Sequence, residues 1–229
     1  GDAGPIPIRR RPRQDWSPFA RAVGEIFEAD GFPFIADANA DFRDGHLAMP
    51  SSNLPDRRMS PTAGYLDART RARSNLTILT QAEVQRILIE GKQATGVTIS
   101  TTQGPLTYKA RKLILCAGGL KSPELLLQSG IGAPADLMQA GVKPIHDLPG
   151  VGRNLCNHPI IYLSALVPRK HRKRRAPAIY NALRYSSELA DCPPHDMLMP
   201  LLARTAWHAL GDSVSLLGVS VYKPASRGR

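Results

Sequence analysis

Residues 118–132 read GGLKSPELLLQSGIG, and the order of parts in this stretch decides the fold. Just upstream, Leu113, Ile114 and Leu115 form a short continuous apolar run. Such a run suits a strand covered on both faces, although periodicity alone does not separate it from helix. We expect a strand over residues 112–117. Gly118 and Gly119 let the backbone turn sharply. Ser122 is a strong helix cap and Pro123 suits a first helical position, so the helix is expected to start there. Leu125, Leu126 and Ser129 share one face, and Gly130 is placed to end the helix in a left-handed conformation. Strand, tight turn and helix is how nucleotide-binding α/β folds present a helix N-terminus to a ligand. It is equally one ordinary βα unit of any α/β protein.

Downstream, residues 134–140 read as a short helix stopped by Gly141, and Gly150-Val151-Gly152, following Pro149, reads as a loop. Residues 75–108 pattern as strands with bends at Glu90-Gly91-Lys92 and Gln103-Gly104, a meander beside the strand that ends at Ala117. Near the start, a proline- and arginine-rich stretch precedes a helix over residues 18–30. Ser17 caps it, Pro18 opens it, Gly31 ends it, and Phe19, Val23, Ile26 and Phe27 form its expected buried stripe. Asp37, Asn39, Asp41 and Asp44 lack the glycine and terminal glutamate of a calcium loop at the right spacing, and read as turn residues, with no metal ligands. Beyond residue 160 we expect a helix near residues 179–188, then strands at residues 197–202 and 214–222. The fold class is therefore a mixture of α/β and α+β.

The segment also resembles a family signature. Gly118, Ser122, Pro123, Leu125, Leu126, Ser129, Gly130, Ile131 and Gly132 fit the second signature of the glucose–methanol–choline (GMC) oxidoreductases, while Gly119 stands where that family usually has Ala, Ser, Thr or Pro. Residues 146–159, HDLPGVGRNLCNHP, are similar to the family run ending in Leu-Gln-Asp-His-Pro, with Cys156 and Asn157 in place of Gln and Asp. Tyr65-Leu66, residues 75–80 and Gly96-Val97 resemble the approach to a flavin-binding strand and its meander. Residues 223–228, KPASRG, look like the entry to the family's C-terminal catalytic segment.

The resemblance implies a partial FAD-binding Rossmann-like domain with a β-meander over residues 63–160. It also implies parts of a substrate domain, an antiparallel sheet with helices, over residues 1–62 and 161–229. Its implied cofactor is FAD, and its implied activity is oxidation of a primary alcohol, choline-like, aliphatic or aromatic, by hydride transfer to flavin. The electron acceptor and oligomeric state stay open. Val84 falls on the family's valine whose backbone touches the adenine, and Ala117 and Gly118 are expected against the FAD, where small size permits close approach. The Gly-x-Gly-x-x-Gly unit that grips the pyrophosphate is absent, and the family's catalytic histidine lies beyond the Ser-Arg-Gly motif. We therefore expect an internal fragment of a longer enzyme, inactive by itself, and name no catalytic residue. None of His46, His146, His158, His171, His195 and His208 falls at the catalytic position; His158 reads as a structural hydrogen-bonding residue, and His195 and His208 as core or surface residues of the substrate domain.

Composition supplies the rivals. The net charge is +11, with RKHRKRR at residues 169–175 and Arg9, Arg10, Arg11 and Arg13 as a second cluster. Such runs can contact phosphate backbones, but neither is interleaved with aromatics, so no nucleic-acid partner is expected. A noncatalytic interaction protein built on the same scaffold is the other alternative. No apolar run is long enough to span a bilayer. A cytoplasmic location is the default, with peripheral membrane association left open. Cys116, Cys156 and Cys192 are too far apart for a metal knuckle, and Cys116 reads as a buried packing residue of its strand. With the first βαβ unit missing, strand edges and apolar helix faces would be uncovered, and poor solubility is expected of the chain alone.

Overall fold

The computed structural model describes residues 4–54, 56–172, 179–203, 205, 211, 213–221 and 228. The chain divides into two compact units, residues 1–73 with 157–225, and residues 74–156 with 226–229.

The first unit opens on α1 (Pro18–Ala29), capped as its sequence requires. Ser17 Oγ accepts the Ala20 N–H at 3.2 Å, Pro18 takes the first position, and Gly31 follows at φ +90°. Its buried face is Ala20, Gly24 and Phe27, flanked by Phe19 and Val23, while Ile26 is 58% exposed. The expected stripe is thus rotated. Small residues at 20 and 24 let the helix close onto the sheet, and a Cβ on Gly24 would lie 2.7 Å from His46 Cε1. That sheet contains β1 (Phe34–Ile35), β2 (Gly45–Ala48), β8 (Ile160–Leu166), β9 (Ile179–Tyr185), β10 (Met197–Leu202) and β11 (Val214–Val221), in the order β1-β2-β9-β10-β11-β8. Only β1 and β2 run parallel; every other pairing is antiparallel. Trp16, Ala20, Ala48, Tyr180 and Leu201 form the core beneath α1. Two short helices, α2 (Pro61–Tyr65) and α3 (Ala68–Arg71), follow β2 in the chain.

Strand β9 corrects the helix expected near residues 179–188. Its hydrogen bonds are taken on both edges, with Leu183 opposite His46 on one side and Met199 on the other, and residues 180–184 are all buried. Burial of both faces erases the alternation that marks a strand, and pairing overrides the helical preference of Ala182, Leu183 and Arg184. At the far edge of the sheet, β8 is exposed along nearly its whole length, including Ile161, Leu163 and Leu166. Of the basic run, Arg169–His171 form a single 3-10 turn, and residues 173–175 lie outside the described residues.

The second unit contains the expected meander, β3 (Glu83–Glu90), β4 (Gln93–Thr101) and β5 (Gly104–Lys109), with α4 (Gly118–Gln128) packed on β3. A short parallel pair, β6 (Ile131–Gly132) and β7 (His146–Asp147), brackets α5 (Pro134–Gln139), which Gly141 follows at φ +72°. Two expectations fail here. Residues 112–117 form no strand, Ile114 is 79% exposed, and Cys116 is exposed instead of buried, because no described strand pairs with this run. Helix α4 begins at Gly118, so Ser122 and Pro123 lie inside it. Ser122 still acts on the helix head from within, its Oγ accepting the Ala117 N–H at 3.1 Å. Pro123 there removes the bond that would run to the Gly119 carbonyl. Gly130 has the expected left-handed φ of +85°. The motif at residues 223–228 lies outside the described residues except Gly228, which bridges Leu155.

Candidate functional site

At the head of α4 the chain presents a bare stretch of backbone. Ala117 and Gly118 are exposed, Gly118 has φ +85°, and apart from chain neighbours and the helix's own backbone no atom lies within 4 Å of where a Cβ on Gly118 or Gly119 would sit. The first N–H groups of a helix have no partner within it and favour anionic groups. Ala117 is the exception, since its N–H is held by Ser122. The result is an open, side-chain-free approach beside backbone donors, which fits a phosphate-bearing or flat ligand. Val84, the third expected contact, is the second residue of β3, which among the described residues is an edge strand of the meander. It pairs with Ile99, is 38% exposed, and is followed by a register shift before Arg86.

Ser129 connects these places. It is fully buried, donates from Oγ to the Leu125 carbonyl at 2.6 Å, and accepts the Ile87 N–H at 2.9 Å. Three residues from Val84 along β3, the strand is thereby tied to the end of α4. In the sequence Ser129 stands out on a helix face and in the signature, with nothing to link it to β3; its partner lies 42 positions away. A cavity of about 630 Å³ opens alongside, lined by Leu120, Leu127, Leu137, Val151 and Leu155 among others, but not by Val84, Ala117 or Gly118. An Arg153–Asp136 ion pair at 2.6 Å lies at its wall.

The first unit holds its polar groups for structure. The acidic residues before β2 form a turn. Asp37 Oδ1 accepts the Asn39 N–H at 3.0 Å, and the buried Arg184 donates to the carbonyls of Ala38, Asp41 and Arg43 while its guanidinium stacks 4.2 Å over Phe42. Asp44 receives His195 Nδ1 at 2.5 Å and both the Oγ–H and N–H of Ser186. Burial pulls the Asp44 carboxyl upward, but the His195 and Ser186 hydrogen bonds outweigh it and hold it below its ordinary range. His46 is fully buried among the rings of Trp16, Phe27 and Phe34, with Nδ1 3.6 Å from Glu28 and Nε2 3.1 Å from Asn181. Sequence reading had no signal for this cage, because β2 and β9 bring it together from distant positions. His146, His158 and His171 are exposed, and His208 lies outside the described residues. Among the described residues, no three His, Cys, Asp or Glu side chains converge as a metal site, and no helix is long and apolar enough to cross a membrane.

A family model described as GMC oxidoreductase matches residues 4–160. The 5-(hydroxymethyl)furfural oxidase of Methylovorus sp. (strain MP688) is 37% identical over 236 residues, covering 100% of this chain and 43% of the relative. The oxygen-dependent choline dehydrogenase of Pectobacterium carotovorum subsp. carotovorum (strain PC1) is 37% identical over 165 residues, covering 71% of this chain and 29% of the relative. Among solved structures, pyridoxine 4-oxidase from Mesorbium loti superposes with a TM-score of 0.83 at 27% identity, over 100% of this chain and 46% of that one. The mixed α/β and α+β fold class holds against that structure. The chain spans less than half the length of the relatives it matches.

Proposed function

The chain belongs to the GMC oxidoreductase family, and on that premise we propose that it contributes the meander side of the FAD domain and part of the substrate domain to an enzyme that oxidises a primary alcohol. Members of the family are FAD-dependent alcohol oxidoreductases. The observation that carries the reading is the likeness to 5-(hydroxymethyl)furfural oxidase, which runs the whole length of this chain. Residues 63–160 would serve the FAD domain, and residues 1–62 and 161–229 the substrate domain.

FAD, when bound, supplies the hydride acceptor. The residues of this chain would hold it. Ala117 and Gly118 admit close approach at the bare head of α4, and the backbone of Val84 would meet the adenine. The exposed backbone, the open space around Gly118 and the free edge at Val84 support this assignment. We assign no catalytic base to this chain: His46 is buried in the core and His195 is engaged by Asp44.

For the alcohol, a hydroxymethyl group on an aromatic heterocycle is the first reading, because the relatives named for 5-(hydroxymethyl)furfural and pyridoxine match over the full chain. Choline is the second, since that match covers 71% of it. The test is to express the polypeptide encoded around this segment, assay released flavin, and measure turnover on both alcohol classes. Bound FAD with faster turnover of hydroxymethyl heterocycles is expected. Purified protein with neither flavin nor alcohol turnover would favour the noncatalytic scaffold.

A further inference from the structure

We propose that Ser129 is a positioning residue for the cofactor, setting Val84 and the Ala117–Gly118 backbone in register with each other. This rests on the FAD reading above. The geometry is a short relay: Ile87 N–H to Ser129 Oγ at 2.9 Å, then Ser129 Oγ–H to the Leu125 carbonyl at 2.6 Å, with Ser129 fully buried and Ile87 and Leu125 nearly so. Ile87 stands on the free edge of the meander, so its amide faces outward and finds its partner on α4.

Each end of the relay leads to a proposed contact. Along β3, Val84 is three residues from Ile87, about 10 Å at the rise of a strand. Along α4, Ser129 is separated from Gly118 by the helix itself, about 16 Å of rigid rod. The end of that rod is fixed. Gly130 accepts the N–H groups of Ile145 and His146 at 2.8 and 3.1 Å, and a Cβ on Gly130 would lie 2.6 Å from the Lys143 carbonyl oxygen. With the helix end anchored in this knot, the Ser129 bond determines where β3 lies against it. Loss of the hydroxyl strands a buried amide and frees the strand edge to shift. A ligand that touches both β3 and the head of α4 then meets two contacts that no longer match.

The experiment uses the complete flavoenzyme. Ser129→Ala and Ser129→Thr are compared with the wild type by FAD titration of the apoprotein, amide hydrogen exchange at Ile87, thermal melting, and kcat and KM at saturating FAD. Ser129→Ala is expected to weaken FAD binding about tenfold, on the scale of one stranded buried donor. It should also speed Ile87 exchange, while Ser129→Thr, which keeps the hydroxyl, recovers the affinity. If Ser129→Ala fails to fold, Ser129→Cys keeps the volume with weaker hydrogen bonds, and a several-fold loss of affinity is expected. A variant with faster Ile87 exchange and a lower melting temperature but unchanged FAD affinity would overturn the inference, leaving Ser129 a purely structural bolt. A wild-type protein that binds no FAD would overturn the functional reading itself, and Ile87 exchange would still report whether the relay exists.

Discussion

The protonation state of His46 follows from its neighbours. Asn181 Nδ2 donates to the Ala20 carbonyl at 3.1 Å, which fixes the amide's orientation and turns the same nitrogen toward His46 Nε2. Nε2 must therefore accept, and the ring carries its proton on Nδ1, facing Glu28. Protonating Nε2 would set two donors against each other in a dry core. Burial accordingly lowers the His46 pKa, against an opposing pull from Glu28 and alongside a further lowering by Arg13. With a folded-state pKa below the unfolded value of about 6.5, the unfolded chain takes up the proton first. Stability from this group is complete above about pH 6.5 and declines as pH falls toward the folded-state pKa. Asp44 acts in a separate window, its contribution held above the ordinary carboxylate range of about 3.9 and lost at lower pH. In thermal melts, His46→Gln should lower the melting temperature at about pH 8 and flatten the decline between about pH 7 and pH 5. A wild-type profile that is already flat there would contradict the assignment. The sequence showed His46 only as one histidine among six, since its partner lies 135 positions away.

At the scale of elements, what was legible was what is local. The caps of α1, the glycine bends of the meander and the left-handed ends of α4 and α5 depend on residues within a turn of each other, and each could be read directly. The segments that misled depend on neighbours supplied from elsewhere. Residues 112–117 have the composition of a covered strand without a described partner, while β9 has helix formers at Ala182, Leu183 and Arg184 and is held as a strand from both sides. Two glycines separate the causes of a helix end. Gly141 (φ +72°) has open space where a Cβ would sit, so Gly141→Ala should cost about 1 kcal/mol from backbone strain alone. Gly130 (φ +85°) faces the Lys143 carbonyl, so Gly130→Ala should add a steric cost and reach about 3 kcal/mol. Equal losses in denaturant unfolding would show that the close contact at Gly130 carries no energy.

At the scale of the whole molecule, many large apolar side chains are exposed. Ile114, Leu120, Met138, Ile161 and Leu166 are all more than half exposed, and single exposed residues are ordinary only when they do not gather along edges and helix faces. The 229-residue chain expressed alone is expected to aggregate, seen as large species in light scattering; a soluble monomer with a sharp cooperative melt would contradict this. The charge of +11 makes a second expectation. Weak binding to DNA should fall steeply with added salt, as for any basic surface, with no preference among sequences. A sequence-selective complex that survives salt would revive the nucleic-acid reading. The site was legible only as far as the signature reaches: it singled out Ala117 and Gly118 at the end of an expected strand, whereas their place at a helix head and the relay through Ser129 required the fold.

Among the described residues no strand pairs with the outer edge of β8, and most residues of that strand are exposed. Hydrogen bonds along such an edge do not depend on whether the partner strand is covalently joined to it. The rest of a longer relative, encoded on a second plasmid, would therefore complete the sheet in the same cell. Yellow colour in the purified pair would then serve as a genetic complementation signal, with substitutions in either half scored by eye.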